Sequence, residues 1–196
     1  MAVELRKGQK VSLEKRGASV GEILINLNWN QPVKQGLFLR KPQPIDLDLG
    51  CLYELKDGTK SAVQALGNNF GSLDKPPFVS LDGDDRTGTS TNGENLRVNG
   101  TMIPQIKRIL VYTFIYDGAA NWREANGIVT VKYPGSQDII VRMDEYSTSQ
   151  KVCAIALFEN QNDETFSVEK IVRFFDGHEP MDRAFNWGLK WVPGRK

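Results

Sequence analysis

The sequence predicts an all-β protein: a β-sandwich of two mainly antiparallel sheets with a short C-terminal helix. Three observations predict it. Apolar residues recur at every second position in stretches such as "EILINLNW" and "IDLDLGCLYEL", the signature of strands with one face on a core. Such stretches are short, about 7 to 10 residues, and are separated by turn residues, the spacing expected of a sandwich or barrel. Helical spacing of apolar residues is confined to one segment near the C-terminus.

Taken in order, "EILINLNW" places Ile23, Ile25, Leu27 and Trp29 on one face. The next segment, "QPVKQGLFLRKPQP", carries three prolines and two lysines and reads as a loop with a short edge strand. "IDLDLGCLYEL" then sets Ile45, Leu47, Leu49, Cys51 and Tyr53 against Asp46, Asp48 and Gly50. Asp46 and Asp48 therefore share a face, about 7 Å apart, because side chains repeat every second residue. "RILVYTFIYDG" is apolar on both faces, as a central strand covered twice should be, and ends in Asp117-Gly118. Four further strands follow in "GIVTVKYP", "DIIVRMDE", "KVCAIALFEN" and "FSVEKIVRFFDG", with turns at Pro134-Gly135-Ser136, Asn160 to Asp163 and Asp176-Gly177. "EPMDRAFNWGLKWV" predicts the helix from Met181, Ala184, Phe185 and Leu189, with Asp176 at its start and Gly188 ending or kinking it.

The chain has 196 residues, 40% hydrophobic and 25% charged, which predicts one domain over residues 1–196. Lys and Arg number 25 against 24 Asp and Glu. A net charge of +1 provides no field to steer the surface toward nucleic acid or an anionic membrane, so charge-based function is local. The N-terminal "MAVELRKGQKVSLEKRG" has no secretory apolar run, and no apolar span of membrane length follows. A soluble, cytoplasmic protein is expected. Cys51 and Cys153 lie far apart in apolar stretches and read as buried hydrophobes rather than a disulfide or redox pair.

The stretch with chemical content is "SLDGDDRTGTSTNGENL", Ser80 to Leu96. It is either a long solvated hairpin or a cage of oxygens for a cation. Hard cations such as calcium take six to eight oxygens, usually where Gly-rich turns bring carbonyls inward. The loop is no EF-hand: counting from Asp82, Arg86, Thr87 and Gly93 stand where that motif needs Asp or Asn, Gly and Glu. If the strand ends bearing Asp46, Asp48 and Asp117 converge on it, five or six carboxylates meet, and a bound dication would relieve their repulsion.

The succession "INLNW", "DLDL", "DGDDRTG", Glu94 with Leu96, and "YDG" resembles the TerD-type tellurium-resistance and stress-response family. The resemblance runs from about Val11 to Phe175, and the C-terminal block is similar to the TerA-like branch. It implies a calcium-binding β-sandwich. Asp46 and Asp48 match the family's Asp-x-Asp, Asp84 and Asp85 its Gly-Asp-Asn/Asp, Glu94 the acid closing the loop, and Asp117 the acid ending the central strand. Carbonyls around Arg86 to Gly88 are implied as additional ligands. One or two Ca2+ sites are implied. Where TerD-like loops continue with a dense acidic run, this chain has "TSTNGEN", with Glu94 the sole carboxylate, which weakens or removes one of two expected sites.

The function this implies is a non-enzymatic, calcium-binding role in the tellurite and chemical stress response, acting through protein partners that include other tellurium-resistance proteins, with membranes reached through partners. The oligomeric state is left open. A calcium-dependent, C2-like membrane module is the first alternative, with Phe78 in "LDKPPFVS" as its one nearby apolar tip. A metal-assisted enzyme acting on phosphate or oxyanion substrates is the second. It lacks a phosphate-cradling glycine loop, and any histidine mechanism would have to use His178, the single histidine. His178 reads instead as part of the helix cap.

Overall fold

The computed structural model describes residues 2–14, 17, 19–30, 45–82, 93–117, 122–147 and 149–192. The "QPVKQGLFLRKPQP" segment lies outside them. Among the described residues, thirteen strands form two sheets. In chain order they are β1 (Val3–Glu4), β2 (Lys10–Ser12), β3 (Glu22–Asn28), β4 (Asp46–Leu55), β5 (Lys60–Gln64), β6 (Gly71–Ser72) and β7 (Val79–Leu81). After them come β8 (Glu94–Asn99), β9 (Ile106–Asp117), β10 (Ile128–Lys132), β11 (Ile139–Arg142), β12 (Val152–Gln161) and β13 (Thr165–Phe175). Two short helices, α1 (Trp122–Ala125) and α2 (His178–Ala184), and a 3-10 turn at Gly100–Gln105 complete the elements.

One sheet runs β1-β11-β10-β3-β8-β7-β6 and the other β2-β13-β12-β9-β4-β5. All strand pairs are antiparallel except β1 with β11. The expected sandwich is therefore observed. Strand β3 shows the alternation in its simplest form, with Ile23, Ile25 and Leu27 fully buried and Glu22 and Asn28 exposed. Strands β1, β2, β6 and β7 went unread in the sequence because two or three residues carry no period to detect, and β5 and β8 went unread as well.

Strand β4 is buried on both faces. Leu47, Leu49, Cys51 and Tyr53 enter the core between the sheets, while Leu52 belongs to a second apolar cluster with Leu110, Tyr112, Phe114, Phe175, Met181 and Trp187. That second cluster explains the doubly apolar β9. The outer face of its sheet is roofed by the C-terminal segment. Gly50 is required there: a Cβ at this position would lie 2.9 Å from the Tyr112 ring and 3.0 Å from the Val63 carbonyl oxygen. No larger residue lets Tyr112 lie across β4.

The roof is shorter as a helix than the apolar spacing suggests. Helix α2 ends at Ala184, Leu189 lies beyond it, and Asp176 makes no cap, since the N-cap is Gly177 without a side-chain hydrogen bond. The chain turns back through left-handed conformations at Asn186 (φ 53°) and Gly188 (φ 79°). Buried Asp182 holds this turn, accepting from the Gly188 amide at 2.7 Å, the Leu189 amide at 2.9 Å and the Trp191 indole at 3.1 Å. Its oxygens satisfy the donors that would otherwise have continued the helix.

Docking is fixed by Trp187 and Arg108. The Trp187 indole donates to the Tyr53 carbonyl at 3.0 Å, and the Arg108 guanidinium stacks 3.8 Å over its ring while donating to the Phe185 and Asn186 carbonyls. Arg108 is itself oriented by Glu54, 4% exposed, which also accepts from Lys107 at 2.7 Å. Burial alone would raise the Glu54 pKa, but the hydrogen bonds and charges of Lys107 and Arg108 outweigh it and hold the pKa below the usual carboxylate value.

His178 is packed against aromatic rings, not used as a cap. Its ring centroid lies 5.3 Å from Tyr112, 4.8 Å from Phe114 and 5.1 Å from Trp191. Burial disfavours the imidazolium and lowers its pKa to about 4. Because the unfolded chain protonates at about 6.5, this packing is fully stabilising above that pH and is lost as pH falls toward 4. The native protein is expected to lose about 2 kcal/mol through this residue between neutral pH and about pH 5. Urea unfolding of the parent and of His178→Leu across that range checks it: the parent's extra loss should vanish in the variant.

Candidate metal centre

Among the described residues, the amino-terminal half of β4 has a strand partner on one side only. Strand β5 pairs with Gly50 through Glu54, so among those residues the positions before Gly50 meet no strand on that edge, while β9 pairs along the other. The Leu49 amide is satisfied from the opposite sheet. Glu94, the first residue of β8 and 3% exposed, accepts it through Oε2 at 2.6 Å. A carboxylate is thereby fixed one residue from Asp48.

Gly93 makes this approach possible. At φ 62° it turns the chain into β8, and a Cβ there would lie 2.0 Å from the Leu27 carbonyl oxygen. Beside it the "INLNW" asparagines tie the strand ends together: Asn26 donates to the Asn95 side-chain oxygen at 2.8 Å, and Asn28 donates to Asn26. Trp29 donates from its indole to the Ile45 carbonyl at 3.0 Å, linking the end of β3 to the residue preceding β4.

The structure places the sequence-predicted acids as follows. Asp46 is half-buried at the start of β4, directly opposite Asp117 at the end of β9. Asp48 is fully buried and stands opposite Phe114, on the outer face with Gly50 and Tyr112. Glu94 reaches the same strand at Leu49. Asp46, Asp48, Glu94 and Asp117 thus belong to one end of the sandwich, whereas Asp84 and Asp85 lie outside the described residues. Among the described residues, no three His, Cys, Asp or Glu side chains form a group able to hold a metal ion. The donors present are hard oxygens, the type calcium takes, and any complete shell would draw on the "GDDRTG" loop.

Asp82, the first acid of the loop, is committed elsewhere. Arg97 of β8 donates to both its oxygens, at 2.7 and 2.8 Å, and reaches Glu22 at 2.6 Å. Those two acids raise the Arg97 pKa further above its ordinary value. Sequence reading missed this clamp at the base of the loop, as it missed the Glu94 to Leu49 bond. Both depend on the register of β8 against its neighbours, which no local signal carries.

Other candidate chemistry falls away on geometry. Phe78 is 7% exposed and forms part of the core, so it offers no apolar tip for a membrane. Cys51 and Cys153 are free and buried. Burial pushes the Cys51 thiol up to about 12 and raises Cys153 likewise, leaving negligible thiolate at neutral pH. Among the described residues no helix is long and apolar enough to cross a membrane.

The sequence matches the TerD domain over residues 1–171. The chain belongs to the TerD domain family. It is 44% identical over 190 residues to the tellurium resistance protein TerA of an Alcaligenes species, an alignment covering 95% of this chain and 56% of that protein, so the chain spans little more than half of that relative's length. A homologue of the telluride resistance protein TerD from Streptomyces coelicolor A3(2) has a similar fold, with TM-score 0.56 and 18% identity over 83% of this chain and 95% of that one. A crystallised protein of unknown function is similar at TM-score 0.59 and 12% identity, covering 81% of this chain and 91% of that one.

Removing the Glu94 acceptor tests its structural part. Glu94→Ala leaves the Leu49 amide unsatisfied and is expected to cost about 1 to 3 kcal/mol, while Glu94→Gln retains an acceptor and most of the stability. Urea midpoints of the two variants in chelator separate these outcomes. Equal losses would mean that the bond is not what holds this edge.

Proposed function

We propose that this chain is a calcium-binding, non-catalytic part of the tellurite and chemical stress response, acting by docking protein partners. Family membership supports the response. The gathering of Asp46, Asp48, Glu94 and Asp117 at one end of the sandwich is the observation that supports the cation. With Asp84 and Asp85 these residues would hold one or two Ca2+ ions. Bound calcium would supply charge neutralisation, and the chain's own contribution is a rigid platform: β4 is fixed from one side by β9 and at Leu49 by Glu94.

Such a role needs no reacting group. Ligand binding stabilises the native state by mass action and can create a surface whose order depends on the ion. The partners proposed are other tellurium-resistance proteins, in a cytoplasmic setting.

Calorimetric titration of chelator-stripped protein with calcium, magnesium serving as control, tests the proposal. Saturable calcium binding with a raised melting temperature is expected, lost in Asp46→Asn, Asp48→Asn and Asp84→Asn variants that still fold. Undiminished binding in those variants would reassign the site. Absence of binding by the parent would remove calcium from the function.

A further inference from the structure

A cavity of about 790 Å3 opens between β5 with the turn that follows it and the C-terminal roof. This volume is in the range of pockets that hold small organic ligands. One wall, Lys60 to Asn69, lies within the matched TerD domain, and the other, His178 and Leu189 to Val192, lies beyond its end at residue 171. The cavity therefore lies between β5 and the C-terminal roof.

Its walls are built without a ligand. Leu189 and Trp191 are held by the Asp182 carboxylate, which accepts from the Leu189 amide and the Trp191 indole. On the opposite wall, Gln64 is fixed by the Tyr112 hydroxyl, which donates to its Oε1 at 2.5 Å, so the group Gln64 can offer a ligand is its amide NH2. A preformed pocket spends less of its binding energy on ordering itself.

The chemistry of the lining selects the ligand. Trp191 lines the cavity and is backed by the His178 ring, 5.1 Å away and inclined at 31°, so a planar ring can pack on the cavity side of the pair. Lys60 and Lys190 bring positive charge to the lining. The lining carboxylate, Glu179, is already paired with Arg183 at 2.7 Å, and Glu54 is shared among Lys60, Lys107 and Arg108. Lys60 is held by the Trp187 carbonyl at 3.2 Å and by Glu54, so exposed Lys190 is the main charge offered to an anion, with Lys60 behind it.

We infer that this cavity is a binding site for a small aromatic acid, its ring against Trp191 and His178 and its anionic group toward Lys60 and Lys190. None of its lining residues is among the acids assigned to calcium. Naphthalene-2-carboxylate is a suitable probe, with naphthalen-2-ol as its uncharged counterpart, titrated into the full chain with and without chelator. Binding is followed by calorimetry and by NMR of the Trp191 indole N–H and the His178 ring.

Saturable binding of one carboxylate per chain is expected, shifting both ring signals and unchanged by chelator. Lys190→Glu should weaken it by about tenfold or more while leaving the alcohol's affinity unchanged. Trp191→Ala should weaken both, and a melting curve shows whether that variant is folded. If it is not, Lys190→Glu and the parent's ring shifts decide. No saturable binding at millimolar probe, binding that leaves His178 and Trp191 unmoved, or equal affinity for acid and alcohol would overturn the assignment.

Discussion

Strand β4 has to be covered on both faces and supported along both edges, and most of the molecule serves that requirement. Its inner face supplies Leu47, Leu49, Cys51 and Tyr53 to the core between the sheets. Its outer face, with Gly50 and Leu52, is closed by the C-terminal roof through Tyr112, Met181 and Trp187. Strand β9 runs along one edge, and β5 covers the other only as far as Gly50. The remainder, Asp46 to Leu49, without a strand on that edge among the described residues, carries Asp46 and Asp48. At that edge a side chain from the other sheet, Glu94, accepts from the Leu49 amide.

The roof shows how charge organises apolar packing. Glu54 is nearly buried, and its desolvation is offset by Lys107 and Arg108. Arg108 in turn fixes Trp187 by stacking and by hydrogen bonds to the chain beside it. Asp182 repeats the device at the turn. These carboxylates contribute less through ion pairing itself than by specifying one docked geometry for an irregular segment, whose backbone donors and acceptors a helix would have paired internally.

The fold was legible where periods are long. Strands β3, β4, β9, β12 and β13 carry enough alternating or doubly apolar residues to be read, and the class of sandwich follows from them. The end of α2 was not legible, because Phe185 and Leu189 continue helical spacing while Asp182 and Gly188 redirect the backbone. Of the candidate site, the positions of Asp46 and Asp48 on one strand and of Asp117 at a strand end were readable, whereas the pairing of Asp46 with Asp117 beside a register shift was not. The Glu94 to Leu49 bond was not, being set by how two sheets stack. His178 was misread for the same reason: its aromatic neighbours come from β9 and from the residues after α2, far apart along the chain.

The backbone amide of Leu49 reports most directly on whether this end of β4 answers to a cation. Amide NMR of the parent titrated with calcium should show a saturable shift at Leu49 and Glu94, with Leu52 to Leu55 at the far end of the strand unmoved. Asp48→Asn should abolish the shift. A Leu49 amide indifferent to calcium, or one that shifts equally in Asp48→Asn, would contradict a cation site built on β4.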